Sequence, residues 1–451
     1  MKSFEADVAI IGAGFAGLMA ARELTAKGVS ALVLEARDRV GGRVLNEDLG
    51  GGQAIEVGGQ WVGPGQDRIL ALANAVGVQT YPTYGAESLH VRYRNGKRST
   101  DNADLPDDDP DVLSEFGTAL GRLEAMAQTI EVGRAWEAVH ADDWDSQTVQ
   151  TWMDANLSTE GAKLIMETIV QGVYAVEPRD ISLLYLLTYA KAANGFANLI
   201  GTEGGAQQDR FEGGSQLIAQ RVAEQLGDRI IFEAPLRRVT QNGDGIVLAA
   251  DGVELHAQRA IITIPPPLAA RVDYDPVLPA RRDQLMQRMP MGSVIKVNAV
   301  YDEPFWRQEG LSGRAISDEG PIRTVFDNTP KSGSPGILIG FIEGKDARDL
   351  SGLAEDQRRD AALSSLNRYF GDRAAKPVRY IEKDWAMETY SRGCYGAFMA
   401  PGTMTQYGSV LREPVGRIHW AGTETATVFP GYMDGAVRSG ERAAAEVLAL
   451  L

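Results

Sequence analysis

The stretch YSRGCYGAF, residues 390–398, holds the one cysteine of 451 residues, set directly before a tyrosine. A thiol there has three possible roles: a small buried hydrophobe, a nucleophile, or an attachment point for something larger. A nucleophilic cysteine needs a nearby base, and the four histidines (His90, His140, His256, His419) are scattered singly, outside any recognised partner motif. The same scatter argues against a histidine metal centre, so no metal is expected. A second reactive group is Lys296, in GSVIKVNAVY. Strand alternation puts Val294, Lys296 and Asn298 on one face, which is either the polar side of an edge strand or a buried cleft.

A third group of residues is read from spacing. DVAIIGAGFAGLMAARELTAKG places Gly12, Ala13, Gly14 and Gly17 as G-x-G-x-x-G between an apolar run, Val8–Ile11, and an amphipathic helix. Gly12 permits the turn, Gly14 admits a pyrophosphate to backbone N–H groups, and Gly17 lets helix and strand approach. A second strand, ALVLE, ends at Glu35. A carboxylate there accepts hydrogen bonds from both ribose hydroxyls of an adenosine and repels a 2′-phosphate, which disfavours NADP. Dinucleotide binding follows; this unit does not choose between NAD and FAD.

The next segments carry a resemblance. EARDRVGGR, with Ala36, Arg37, Gly42 and Arg43, and EVGGQWVG, with Gly58, Gly59, Gln60 and Trp61, resemble the glycine-rich elements of FAD-dependent amine oxidases. GTETAT and GYMDGAVRSGERAA near the C-terminus resemble the signature of flavin monoamine oxidases, and GCY matches their flavin-attachment tripeptide. The resemblance covers nearly the whole chain and is strongest at both ends. It implies that Cys394 carries FAD through an 8α-S-thioether, and that Tyr395 and Tyr432 face each other across the substrate position. It further implies that Lys296 holds a water against flavin N5 and that Trp385 packs near the flavin. By the same resemblance Leu236 contacts the adenine, and Gly422, Thr423, Glu424 and Met433 serve the ribityl, pyrophosphate and flavin carbonyl. Gly172, Ile200, Gln207, Thr324 and Phe341 would line the substrate cavity.

The activity so implied is oxidation of a primary or secondary monoamine to an imine, hydrolysed to aldehyde and ammonia, with O₂ reduced to H₂O₂. Related diamine oxidases carry an acidic residue where this chain has Thr324, so a monoamine is expected over putrescine. Two rivals remain: a polyamine or L-amino-acid oxidase on the same scaffold, and a silent flavoprotein that only binds. A bound carboxylate would need a cavity arginine, and alternation turns the nearby Arg323 away.

These residues need a scaffold. The expected fold is α/β: a Rossmann-like FAD-binding domain built from residues 1–80, 210–290 and 388–451. An inserted α+β substrate domain would comprise 81–209 and 291–387. Helical periodicity dominates the first insertion, as at 111–131 and 160–176, and the acidic PDDDPD at 106–111 reads as a solvated loop with a capping aspartate. Asn242-Gly243 suits a hairpin. A net charge of −16 argues against nucleic acid or anionic membrane as partners. No secretory signal or spanning segment is visible and one cysteine suits a reducing compartment, so a soluble cytoplasmic protein is expected. Its partners would be a small amine and O₂; a homodimer is left open.

Overall fold

The computed structural model describes residues 2–85, 88–102 and 109–451. The first strand is longer than its apolar core suggests, Lys2–Ile11, because its polar N-terminal half still pairs in parallel with Val253–Ile262. An eight-stranded sheet forms in the order Asp273–Asp275, Leu236–Gln241, Ile246–Ala250, Val253–Ile262, Lys2–Ile11, Ala31–Leu34, Ile230–Ile231, with Ile418–Trp420 also on Val253–Ile262. The strands at its centre pair in parallel, and the hairpin predicted at Asn242-Gly243 joins two antiparallel ones.

Strand alternation divides this sheet's core in two. Val8 and Ile10 pack with Leu18, Ile218 and Val447 from the helices Phe15–Ala26, Ser215–Leu226 and Met433–Leu448. Ala9 and Ile11 pack on the opposite face with Leu248, Leu255 and Trp420. A strand covered on both sides has no solvent face, which is why VAII reads as an unbroken apolar run.

A seven-stranded, mainly antiparallel sheet follows the order Arg379–Asp384, Val294–Tyr301, Gly336–Glu343, Thr324–Asp327, Leu311–Ser317, Leu89–Arg94, Lys97–Asp101. Two expectations change here. Val294–Tyr301 has neighbours on both sides and is buried throughout, so Lys296 is not on an edge strand. The segment 81–209, read as helical, also contributes the hairpin Leu89–Arg94/Lys97–Asp101 to this sheet. Its Arg, Lys and Ser content masks the strand period; Val91 joins the core, and Tyr93 packs against it.

The rest of that segment is helical: Pro110–Gln128, Glu160–Tyr174 and Leu183–Ala192 enclose one apolar core. Asp109, Thr159 and Ser182 cap these helices with side-chain oxygens that accept backbone N–H groups. Pro106–Asp108 of the acidic stretch lie outside the described residues. Among the described residues no helix is long and apolar enough to cross a membrane.

Candidate active site

A continuous cavity of about 430 Å³ runs from the strand ends of the first sheet to the inner face of the second. Gly12, Gly14, Glu35, Ala36, Arg37 and Leu236 line one end. The tight approach expected there is present: a Cβ on Gly17 would lie 1.9 Å from the Gly12 carbonyl oxygen. Gly14 caps the helix Phe15–Ala26 with no side-chain bond, so first-turn N–H groups remain for an anion. The buried Glu35 carboxylate accepts the N–H groups of Ala13 at 2.7 Å and Arg37 at 3.0 Å. Ala13 and Gly17 therefore shape the turn and do not line the cavity.

Gly42, Arg43, Gly58, Gly59, Gln60, Trp61, Trp385, Cys394, Gly422, Thr423 and Met433 line its middle. Glu424, expected to touch the cofactor, is not on the cavity wall; it clamps Arg43 at 2.5 and 3.0 Å and accepts the Ala397 N–H. Burial works against that carboxylate, but the Arg43 charge and hydrogen bonds hold its pKa below the ordinary range. Glu424 thus acts through Arg43. Trp385 is fixed by a 2.8 Å bond from Nε1 to the Val57 carbonyl. Burial pushes the Cys394 thiol up to about 12, so it stays protonated at neutral pH and is no free-standing nucleophile.

At the far end Lys296 donates from Nζ to Gly58 O and Gln60 Oε1, both at 2.5 Å. Burial brings its pKa down to about 7; Glu56 opposes this and Arg210 adds to it. A buried polar chain, absent from the sequence reading, holds Gln60 in turn. Gln60 donates to Asn328 (2.9 Å), Asn328 to Asn298 (2.9 Å), and Asn298 to the Glu56 carbonyl (3.3 Å). Arg210 donates to the Asn328 carbonyl and pairs with the Glu56 carboxylate at 2.7 Å.

Register puts Val294, Lys296 and Asn298 opposite Glu343, Phe341 and Ile339 on one sheet face. The Lys296 ammonium lies 5.9 Å from the Phe341 ring centroid, and Phe341 meets Tyr395 edge-on at 6.4 Å. Tyr395 and Tyr432 line the same end; a Cβ on Gly396 would lie 3.7 Å from Gly431 Cα, which sets the two tyrosine-bearing turns side by side. Burial raises both phenols, keeping them neutral. Gly172 and Gln207 also line this end, and the buried Gln207 Oε1 has no partner.

Ile200 and Thr324 do not line the cavity, although Thr324 pairs with Phe341 and shares its face. Arg323 bonds Glu167 at 3.2 Å, away from the cavity lining. Glu343 escaped the sequence reading: it accepts the Tyr395 hydroxyl at 2.7 Å. Its position two residues beyond Phe341 on a strand was the available signal.

An elongated cavity entered by an uncapped helix at one end and walled by aromatic side chains at the other fits FAD. The helix Met433–Leu448 also starts without a side-chain cap, at the cavity-lining Tyr432 and Met433. Its first N–H groups suit an electron-rich ring carbonyl. The indole Nε1 of Trp61, buried and without a partner, also faces a need for a ligand acceptor.

Known proteins agree. The family model for flavin containing amine oxidoreductase matches residues 15–448. AofH of Mycobacterium tuberculosis, which carries the name of a flavin-containing monoamine oxidase, is 41% identical over 99% of this chain and 97% of its own length. A putrescine oxidase solved with putrescine superposes with a TM-score of 0.95 at 35% identity, covering 99% of this chain and 100% of that one. The same enzyme was also solved as an alanine-to-cysteine variant in a redesign of cofactor binding. Cyclohexylamine oxidase from Brevibacterium oxydans superposes at 0.94 with 32% identity over 99% of both chains.

Proposed function

The chain belongs to the flavin-containing amine oxidoreductases and is an FAD-dependent amine oxidase; within that family we propose that it oxidises primary or secondary monoamines, with FAD attached through the Cys394 sulfur. The observation that carries the monoamine reading is the lining of the aromatic end. Among the described residues Glu35, at the nucleotide end, is the only acidic side chain on the cavity wall. A second ammonium would enter without a counter-charge, at a cost of several kcal/mol for a buried unpaired ion. An amino-acid carboxylate would find Arg323 already engaged by Glu167.

For a primary amine the overall reaction is R–CH₂–NH₂ + O₂ + H₂O → R–CHO + NH₃ + H₂O₂. When bound along this cavity, FAD would supply the two-electron redox chemistry between the amine and O₂. The protein's own part is binding, orientation and protons. The Gly12–Gly17 turn and Glu35 hold the nucleotide. Tyr395, Tyr432 and Phe341 form an apolar slot that favours the neutral amine over a hydrated ammonium, and a cation–π contact adds only about 0.5–2 kcal/mol. Gln207 Oε1 is a free acceptor for an amine N–H. Lys296, near-neutral in pKa, can orient a water between its amine and the reacting ring.

A substrate panel read by peroxide release tests the proposal. Benzylamine and tyramine should be turned over faster than putrescine, and leucine should be inert; putrescine as the best substrate would overturn it. Acid precipitation tests the thioether: the yellow colour should stay in the pellet, and a colourless pellet would exclude attachment.

A further inference from the structure

We propose that Glu343 is a positioning residue of the amine-binding end, holding the Tyr395 ring against the cavity through the hydrogen bond from its hydroxyl. The inference rests on the reading of Tyr395 as a wall of the amine slot. Three features support it. Glu343 Oε1 is the one hydrogen-bond partner of the Tyr395 hydroxyl among the described residues, at 2.7 Å. The two groups come from distant parts of the chain, so nothing local brings them together. Glu343 also lies on the sheet face that carries the cavity-lining Val294 and Phe341, and its partner Tyr395 lines the cavity.

A phenol ring has two soft torsions, and the edge-on contact with Phe341 fixes only one side of it. A fixed acceptor at the hydroxyl defines where the ring plane lies. An apolar residue in place of Glu343 would leave the hydroxyl to seek water or another acceptor, and the ring would follow it. Although Glu343 is intermediate in exposed area, burial around the carboxyl pushes its pKa up to about 8, opposed by the Tyr395 hydrogen bond and the Arg323 charge. At neutral pH the uncharged acid therefore dominates, and glutamine is its closest replacement.

The test is a double-mutant cycle on the flavin-loaded protein, using binding rather than turnover as its first readout. The probe is 2-phenylpropan-2-amine, a benzylamine with no hydrogen on its α-carbon, titrated by calorimetry. Glu343→Leu and Tyr395→Phe should each weaken its binding about three- to ten-fold, and the double variant no further. Glu343→Gln should stay within about two-fold of wild type, since its amide oxygen can accept the same bond. Flavin absorbance and Tm should not change across the set. Losses that multiply in the double variant, or a glutamine variant as weak as the leucine one, would overturn the proposal. Anaerobic benzylamine is added to wild type as a separate check. A flavin that stays yellow would sink the monoamine reading, while the binding cycle would still decide the role of Glu343.

Discussion

Lys296 offers a direct test of the site's electrostatics. The perturbation is Lys296→Met, which keeps the side chain's length and removes its charge. Burial holds the ammonium at about 7 against an ordinary lysine value of 10.5. At one tenfold per 1.36 kcal/mol, that difference puts the cost of charging it in the fold on the order of 5 kcal/mol below pH 7. The sign follows from proton counting. The folded value is depressed, so between pH 7 and 10.5 the unfolded chain binds more protons and stability rises with pH. From pH 7 to pH 9 wild type should gain about 2 kcal/mol that the methionine variant does not. An unfolding entropy of about 2.1 cal/mol/K per residue converts this to about 2 °C for a chain of this length. Paired thermal scans of both proteins at pH 6, 6.5, 7, 8 and 9 read the gap between them, in which all other titrating groups cancel. The gap should move about 2 °C in favour of wild type from pH 7 to 9 and be flat from 6 to 6.5. Parallel curves over the whole range would refute the depressed pKa.

Gly17→Ala should give a protein purified without yellow colour, read as the ratio of flavin to protein absorbance, because its Cβ would overlap the Gly12 carbonyl. Arg43→Met should lower Tm by about 3–5 °C, since it strands the buried Glu424 carboxylate at a cost of about 3–5 kcal/mol; an unchanged Tm would show that the pair is not an energetic unit. Cys394→Ala should leave an acid pellet colourless and the supernatant yellow, while the native variant keeps peroxide release within about ten-fold of wild type, the non-covalent contacts being untouched.

Legibility in the sequence followed the range of the interaction. The nucleotide turn is a local feature: Gly12, Gly14, Gly17 and Glu35 do their work within one strand-turn-helix-strand unit, and all four stand where spacing put them. The aromatic end was reached only through the resemblance, because Phe341, Tyr395 and Tyr432 come together by tertiary packing that no periodicity records. Ile200 and Thr324 show the limit of that transfer. Thr324 has the right face but sits one strand farther out, where the sheet carries it past the cavity wall. The hairpin 89–101 was missed because an outer strand pair with polar faces gives no apolar alternation to read. Glu424 has a protein partner the sequence did not disclose: a lone acidic residue in a signature does not announce that an arginine far earlier in the chain will donate to both its oxygens.

The buried polar chain behind Lys296 explains why its charge is so lightly supported. Glu56 is the carboxylate whose charge acts to keep the ammonium protonated, yet its Oε2 is taken by Arg210 at 2.7 Å, and the two opposite charges act on Lys296 in opposite directions. What remains for Nζ is a carbonyl and an amide oxygen, both neutral. Neutral acceptors fix the amine's position but stabilise its charge far less than a carboxylate would, so desolvation decides the titration. Three amides in series, Gln60, Asn328 and Asn298, then tie that position to the centre of the second sheet. Each has a side-chain partner and none carries a charge, so the chain can be buried without the penalty of an unpaired ion. A direct Lys296–Glu56 pair would have been as rigid, but it would have held the lysine protonated at every physiological pH. The arrangement present instead leaves an amine that can gain or lose a proton near neutrality, on the cavity wall beside Phe341.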